Sequence, residues 1–95
     1  DTDLQAMWRR LAARVASARG DHDGAARLAR EATDLAATTE AVLMQADAWM
    51  DLAVVRRAAG ATDEAEAALA RSLDLCDAKG ASAASAYVRR TYAEA

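Results

Sequence analysis

The residues best suited to chemistry in this chain are one histidine and one cysteine, each with acidic neighbours. His22 lies between Asp21 and Asp23. A histidine beside carboxylates acts as a general base only when a substrate proton or a nucleophile lies within hydrogen-bond reach. These residues are consecutive and stand between Gly20 and Gly24, a pattern typical of an exposed turn. We therefore predict that His22 is a turn or helix-cap residue without a catalytic role.

Cys76 is the only cysteine and therefore cannot form an intrachain disulfide. A reactive thiolate needs an electropositive and partly exposed setting. Asp74 and Asp77 lie beside Cys76, and the apolar spacing around it places the thiol on the inner face of a helix. The sequence therefore predicts a buried packing residue.

No set of side chains has the spacing of a metal or cofactor site. The adjacent side chains of residues 21–23 diverge, so they are poorly placed to share one ion. Asp63, Glu64 and Glu66 begin a predicted helix, where the helix dipole favours acidic residues. The chain has neither a glycine-rich phosphate loop nor a nucleophile elbow. We predict that it is not an enzyme, and we expect no cofactor, no metal and no catalytic residue.

The composition favours an all-α fold in a single domain spanning residues 1–95. Ala, Leu, Arg and Glu are abundant helix formers, and the chain contains no Pro. The net charge is −3 with no dominant basic stripe, which argues against nucleic-acid binding. No apolar run is long enough to cross a bilayer and no signal peptide is visible, so we expect a cytoplasmic protein with no membrane partner. The richness in Ala and Arg with a single Lys suggests a GC-rich bacterial genome.

Four breaks divide the chain into five predicted helices, at residues 19–24, 38–39, 59–62 and 79–80. Thr39 and Thr62 are the predicted N-caps of the third and fourth helices. The first helix carries an apolar stripe at i, i+3, i+4 spacing. The predicted helices cover residues 3–19, 23–37, about 40–59, 62–79 and 82–95.

The same residue pattern occurs twice, about 40 residues apart. Trp8-Arg-Arg-Leu11-Ala12 recurs as Trp49-Met-Asp-Leu52-Ala53, and residues 20–25 recur as 60–65 with Gly first and Ala last. Small residues at Ala12, Ala25, Ala53 and Ala65 would let paired helices approach closely. The two Trp side chains are predicted to fill the space between helices.

These residues resemble the tetratricopeptide repeat (TPR), whose helix pairs carry Trp, Leu and a small residue before a Gly turn. The resemblance implies one helix pair over residues 3–37, a second over 39–79, and a half repeat or capping helix over 82–95. The repeat here is longer than the usual 34 residues and lacks the terminal Pro. The chain is more loosely similar to the C-terminal repeat regions of large bacterial signalling ATPases and nucleotide-cyclase-like regulators. Residues 28–32, 51–53 and 66–80 carry this looser similarity.

The resemblance also implies a concave surface lined by the first helix of each pair, which binds a protein or peptide segment. Arginines on that surface would pair with acidic side chains or a terminal carboxylate, although a solvated helix face is an open alternative. The candidate partner-binding residues are Arg9, Arg10, Arg14, Met50, Asp51 and Arg57.

We therefore expect a protein-interaction scaffold without catalytic activity. Because the first residue is Asp1 and not Met, we also expect a fragment of a larger bacterial regulatory or signalling protein. The partner would be a separate protein segment or another domain of the parent chain. Two alternatives stay open: a homodimerisation module, and a helical domain that senses a small effector.

Overall fold

The computed structural model describes residues 1–95 and contains five α-helices and no strand. The all-α fold predicted from the composition is therefore confirmed, and each predicted helix is present with small shifts at its ends. Connections of two to four residues join successive helices, so neighbours along the chain run antiparallel. The helices are α1 (Thr2–Ala18), α2 (His22–Ala37), α3 (Val42–Ala58), α4 (Thr62–Lys79) and α5 (Ser82–Ala93).

Glycine ends three of the helices. Gly60, for example, has φ +79°, a left-handed conformation that a Cβ atom disfavours. Beyond it, the Ala61 amide donates to the Arg56 carbonyl at 3.0 Å, which satisfies one of the free carbonyls at the end of α3. The glycines after α1 and α4 have the same positive φ, so the breaks predicted at these three sites are confirmed.

The predicted caps at Thr39 and Thr62 are wrong. Helix α3 begins at Val42 and α4 begins at Thr62 itself, and neither helix has a side-chain N-cap hydrogen bond. The Thr39 hydroxyl instead donates to the carbonyl of Ala36 at 2.8 Å, so it closes the end of α2. A threonine hydroxyl can serve either a helix start or the preceding helix end, and sequence does not distinguish the two uses.

Helix α3 contacts both of the other odd-numbered helices, whereas α2 and α4 do not contact each other. Helix α3 lies between α1 and α5 and contacts both, while α1 and α5 share no contact. Helix α2 packs against α1 and α3, and α4 packs against α3 and α5. The molecule is a flat body of 35 × 31 × 17 Å, with α1, α3 and α5 in contact as one row.

Small side chains form most of the core. Ala25, Ala53 and Ala65 are fully buried, which agrees with the positions predicted to need small residues. On α1, however, Ala13 is fully buried and Ala12 is only half-buried, so the predicted position is off by one residue. Alanine lets helix axes approach closely and leaves little room for larger groups.

The large apolar residues of α1 point away from the core. The buried face of α1 is formed by Ala6 and Ala13, and at about 100° per residue the larger apolar side chains fall on the opposite side. Trp8 is 58% exposed, so the prediction that it fills the space between helices is wrong. Trp49, its counterpart on α3, packs against the largest group of buried core residues, which includes Ala29, Ala53 and Ala68. We call the exposed residues the α1 stripe: Leu4, Met7, Trp8, Leu11 and Val15.

Candidate functional site

A buried carboxylate joins α1 to α3. The Asp51 side chain is only 4% exposed, and each of its oxygens accepts from a different arginine. Arg10 Nε donates to Oδ2 at 2.5 Å, and Arg14 Nη1 donates to Oδ1 at 2.6 Å. The two arginines are four residues apart and therefore lie on the same side of α1. Because a buried carboxylate is tolerated only when it is paired, this arrangement fixes the position of α1 relative to α3.

Asp47 extends the same charged cluster by one helical turn. Its Oδ2 lies 3.8 Å from Arg10 Nη1. Burial raises the pKa of Asp47 above its ordinary value; the Arg10 guanidinium opposes this rise, and the Asp51 carboxylate adds to it. The net upward direction shows that Arg10 only partly compensates the Asp47 charge, since Asp51 takes the shorter contact with the same guanidinium.

A groove of about 510 Å³ lies beside this cluster, between α1 and α5. Helix α3 forms its floor through Met50 and Asp51, and Tyr87 of α5 forms the far wall. Because α1 and α5 do not contact each other, the groove is open to solvent between them. The near wall is formed by four α1 residues: Met7, Arg10, Leu11 and Arg14.

The groove combines apolar surface with charged side chains at its rim. Met50 is buried beneath it, while Met7, Leu11 and Tyr87 are each about half-exposed or more. Arg10 and Arg14 bring two guanidinium groups to the groove, where both contact the carboxylate of Asp51 and Arg10 also lies near that of Asp47. A groove of this volume, with apolar walls and a few convergent polar groups, has the character of a binding site.

Four of the six candidate partner-binding residues meet in this groove, namely Arg10, Arg14, Met50 and Asp51. Their role as partner contacts stays a prediction. The arginines are already committed to the carboxylate of Asp51, so they offer a partner only the remaining N–H groups of each guanidinium.

The other two candidates lie elsewhere. Arg9 Nε donates to Glu31 of α2 at 3.0 Å, so Arg9 is turned towards α2 and not towards the groove. Arg57 donates to the backbone carbonyl of Tyr92 and lies 4.7 Å from the centroid of that ring, which ties the end of α3 to the end of α5. Both residues therefore hold helices together away from the groove.

Sequence reasoning missed three groove residues. Met7 and Leu11 belong to the apolar stripe that was predicted on the first helix, and they lie one turn from Arg10 and Arg14. Their spacing would have located them had the packing face of that helix been known. Tyr87 gave no such signal, because its place opposite α1 depends on how α5 packs against α3.

The cysteine and the histidine occupy structural positions. Cys76 is fully buried, as predicted, and packs with Met50 and Val88. Burial raises the pKa of its thiol, an effect that a Ser85 hydrogen bond only partly opposes. His22 is the first residue of α2, next to the N-cap Asp21, and its Nδ1 has no hydrogen-bond partner.

Neither the rest of the structure nor comparison with known proteins adds a further site. No three His, Cys, Asp or Glu side chains are grouped so that they could hold a metal ion. None of the five helices combines the length and the apolar character that crossing a membrane requires. Because no protein-family model, no curated protein and no solved structure matches this chain, its function has to be inferred from the groove and the surfaces around it.

Proposed function

We propose that this chain is a non-catalytic protein-interaction module that holds a segment of a partner in the groove between α1 and α5. The partner is a separate protein or another domain of the parent chain. The observation that carries the proposal is an open, partly apolar groove whose floor includes a buried, ion-paired carboxylate. Ion pairs that already hold α1 against α3 would lower the entropic cost of ordering the site when a partner binds.

The chemistry of the groove selects a segment with an apolar anchor and a carboxylate. An apolar side chain would pack against Met50, Met7 and Tyr87 in the groove. A neighbouring carboxylate would accept from the outer N–H groups of Arg10 and Arg14, which already face Asp51. An amphipathic helix presents both groups within one or two turns, and an extended peptide presents them on nearby residues.

The order of the helices supports the same proposal. Contact of α3 with both α1 and α5, with α2 and α4 apart, is the arrangement expected when the first helix of each pair lines one surface. The repeated Trp–Leu–Ala and Gly–Ala patterns would then mark two helix pairs, with α5 as the first half of a third. On the strength of the resemblance and the composition, we propose that this module belongs to a cytoplasmic bacterial regulatory protein.

A random-peptide display library selected on the immobilised protein tests the proposal. Wild-type protein should enrich peptides that carry a large apolar residue near Asp or Glu. Tyr87→Ala should weaken the enriched peptides at least about tenfold, because an aromatic wall residue is a typical binding hot spot. Tyr87 is half-exposed, so its truncation should leave the helical circular dichroism spectrum unchanged.

Leu43→Ala is the matched control, since Leu43 is another exposed apolar residue but lies outside the groove. It should leave peptide affinity unchanged. If both substitutions weaken peptide binding equally, or if Tyr87→Ala leaves the affinity of the enriched peptides unchanged, the groove is not the binding site.

A further inference from the structure

The α1 stripe is an unusually continuous apolar surface for so small a protein. Its five side chains are between 50% and 65% exposed and follow one another along almost the whole of α1. At these fractions they expose roughly 500 Å² together, near the upper end of the largest apolar patch on a typical monomer. A patch of this size marks an interaction surface.

The corresponding face of α3 is covered by α2 and carries smaller and more polar residues than the α1 stripe. Ala48, the counterpart of Met7, packs against Ala32 and Ala36 of α2. On α1, the residue is the much larger Met7, and Leu4 replaces the polar Gln45 of α3. The α1 stripe is therefore bulkier and more apolar than a surface shaped for close approach to an alanine-rich helix such as α2.

We propose that the α1 stripe is covered by the α1 stripe of a second copy of this chain, with the two helices antiparallel. No other surface of the chain offers a comparable apolar partner, because the remaining large exposed apolar residues, Leu43 and Tyr87, stand singly on α3 and α5. Pairing of the stripe with itself is isologous and closes as a dimer. This inference does not rest on the proposed function.

The charges along α1 select the antiparallel orientation. Asp1 and Asp3 lie at its start, whereas Arg14 lies about one turn before its end and Arg19 lies just after it. At about 100° per residue, Asp3 and Arg14 flank the stripe on one side, and Asp1 and Arg19 flank it on the other. Two-fold antiparallel packing brings residues of the same flank together, so each acidic residue meets an arginine of the second copy. Parallel packing would place acidic residues against acidic residues and arginines against arginines.

The area also sets the expected strength. Two copies bury roughly 1,000 Å² of the stripe, which is at the lower limit for a specific interface. The dimer should therefore be weak and reversible, with a dissociation constant on the order of 10–100 µM. The antiparallel register centres between Trp8 and Leu11, so Leu4 faces Val15 of the second copy.

Sedimentation equilibrium from about 1 µM to about 1 mM measures the association. The mass of wild-type protein should rise from 10.0 kDa towards twice that value. Leu4 and Val15 are the residues to change, because Met7 and Leu11 also line the groove. L4E/V15E places like charges opposite each other and should raise the dissociation constant at least about tenfold, while L4E/V15K restores opposite charges and should stay within about fivefold of wild type.

Each outcome decides the proposal. A wild-type mass of 10.0 kDa at every concentration would overturn the dimer. Dimerisation that survives in L4E/V15E would overturn the role of the stripe. Loss of association in both double variants, with helical circular dichroism intact, would overturn the antiparallel register, since parallel packing opposes each position with itself.

Discussion

The buried Asp51 carboxylate should be the most costly single charge to remove from this protein. The substitution Asp51→Ala leaves Arg10 and Arg14 without the group that holds them against α3. Both guanidinium groups would then lie beside the groove with no carboxylate at hydrogen-bond distance, since Asp47 is 3.8 Å from Arg10. The expected result is a large loss of stability with no change of fold.

The magnitude follows from burial on the two sides of the ion pairs. Removing one partner from a fully buried pair costs about 3–5 kcal/mol, because the other charge is left uncompensated. Here the Asp51 side chain is 4% exposed, but Arg10 and Arg14 are 25% and 42% exposed, so both arginines recover water. We therefore expect a loss of about 2–3 kcal/mol in the free energy of unfolding, closer to the value of two charged hydrogen bonds that are partly replaced by water.

Thermal and urea unfolding followed by circular dichroism at 222 nm measures this loss. For a domain of this size, about 2–3 kcal/mol lowers Tm by about 10–20 °C. Asp74→Ala on α4 is the matched control, since Asp74 is exposed and forms no ion pair. The control should change Tm by no more than about 2–4 °C. In the Arg14→Met background, Asp51→Ala should cost about 1 kcal/mol less than in wild type, because one of its hydrogen bonds is already absent.

A Tm for Asp51→Ala close to that of Asp74→Ala would refute this reasoning. It would mean that the carboxylate is freely hydrated and that α1 is not held to α3 through it. Equal costs of Asp51→Ala with and without Arg14 would refute the specific contact to that arginine.

Three further predictions concern other buried groups. Burial raises the pKa of Asp47 above its ordinary 3.8, so the Asp47 charge destabilises the folded state above the raised pKa, and this penalty fades as the pH falls towards 3.8. Asp47→Asn should therefore raise Tm at pH 7 but not at pH 3. The control Asp34→Asn, at an exposed site, should not raise Tm at pH 7. Cys76 should resist Ellman's reagent at pH 8 in the folded protein and react fully in guanidinium chloride; rapid reaction of the native protein would contradict its burial. Ala65→Leu should destabilise by about 1–3 kcal/mol through overpacking, and Ala70→Leu, at an exposed position on the same helix, should not; equal Tm values would refute close packing at Ala65.

The sequence predicts the helices well because their signals are local. Helix-forming composition and glycine breaks depend only on neighbouring residues, so all five elements could be found without tertiary information. Thr39 was misassigned as a cap because a hydroxyl can satisfy either of two adjacent helix ends, and Thr62 was misassigned by one position because it is the first residue of α4. That choice depends on where the chain bends, which tertiary packing decides.

The orientation of α1 could not be predicted from its apolar spacing. A strong apolar stripe normally marks the face that packs on the core. Here close helix approach requires small residues, so Ala6 and Ala13 face the core and Trp8 faces outward. The rule of close approach that identified Ala25 and Ala65 as buried was applied to α1 at Ala12, one residue from the buried Ala13, so it did not show that the stripe faces outward.

The candidate site was predicted in part. The candidate partner-binding residues were predicted on the first helix of each helix pair that the resemblance implies, and four of the six meet in the groove. Their pairing was not predicted, since Asp51 is 41 and 37 residues from its two arginines and the contacts exist only once α1 lies beside α3. Tyr87 depends on the packing of α5 in the same way.

The most direct test of the groove as the partner-binding surface is a two-dimensional ¹H–¹⁵N NMR titration with a peptide enriched by display. The account predicts that amide shifts concentrate on the groove segments of α1, α3 and α5, including Met50 and Tyr87, while the amides of α2 stay in place. Shifts centred on α2 and α4, or a bound peptide that leaves Met50 and Tyr87 unchanged, would contradict it.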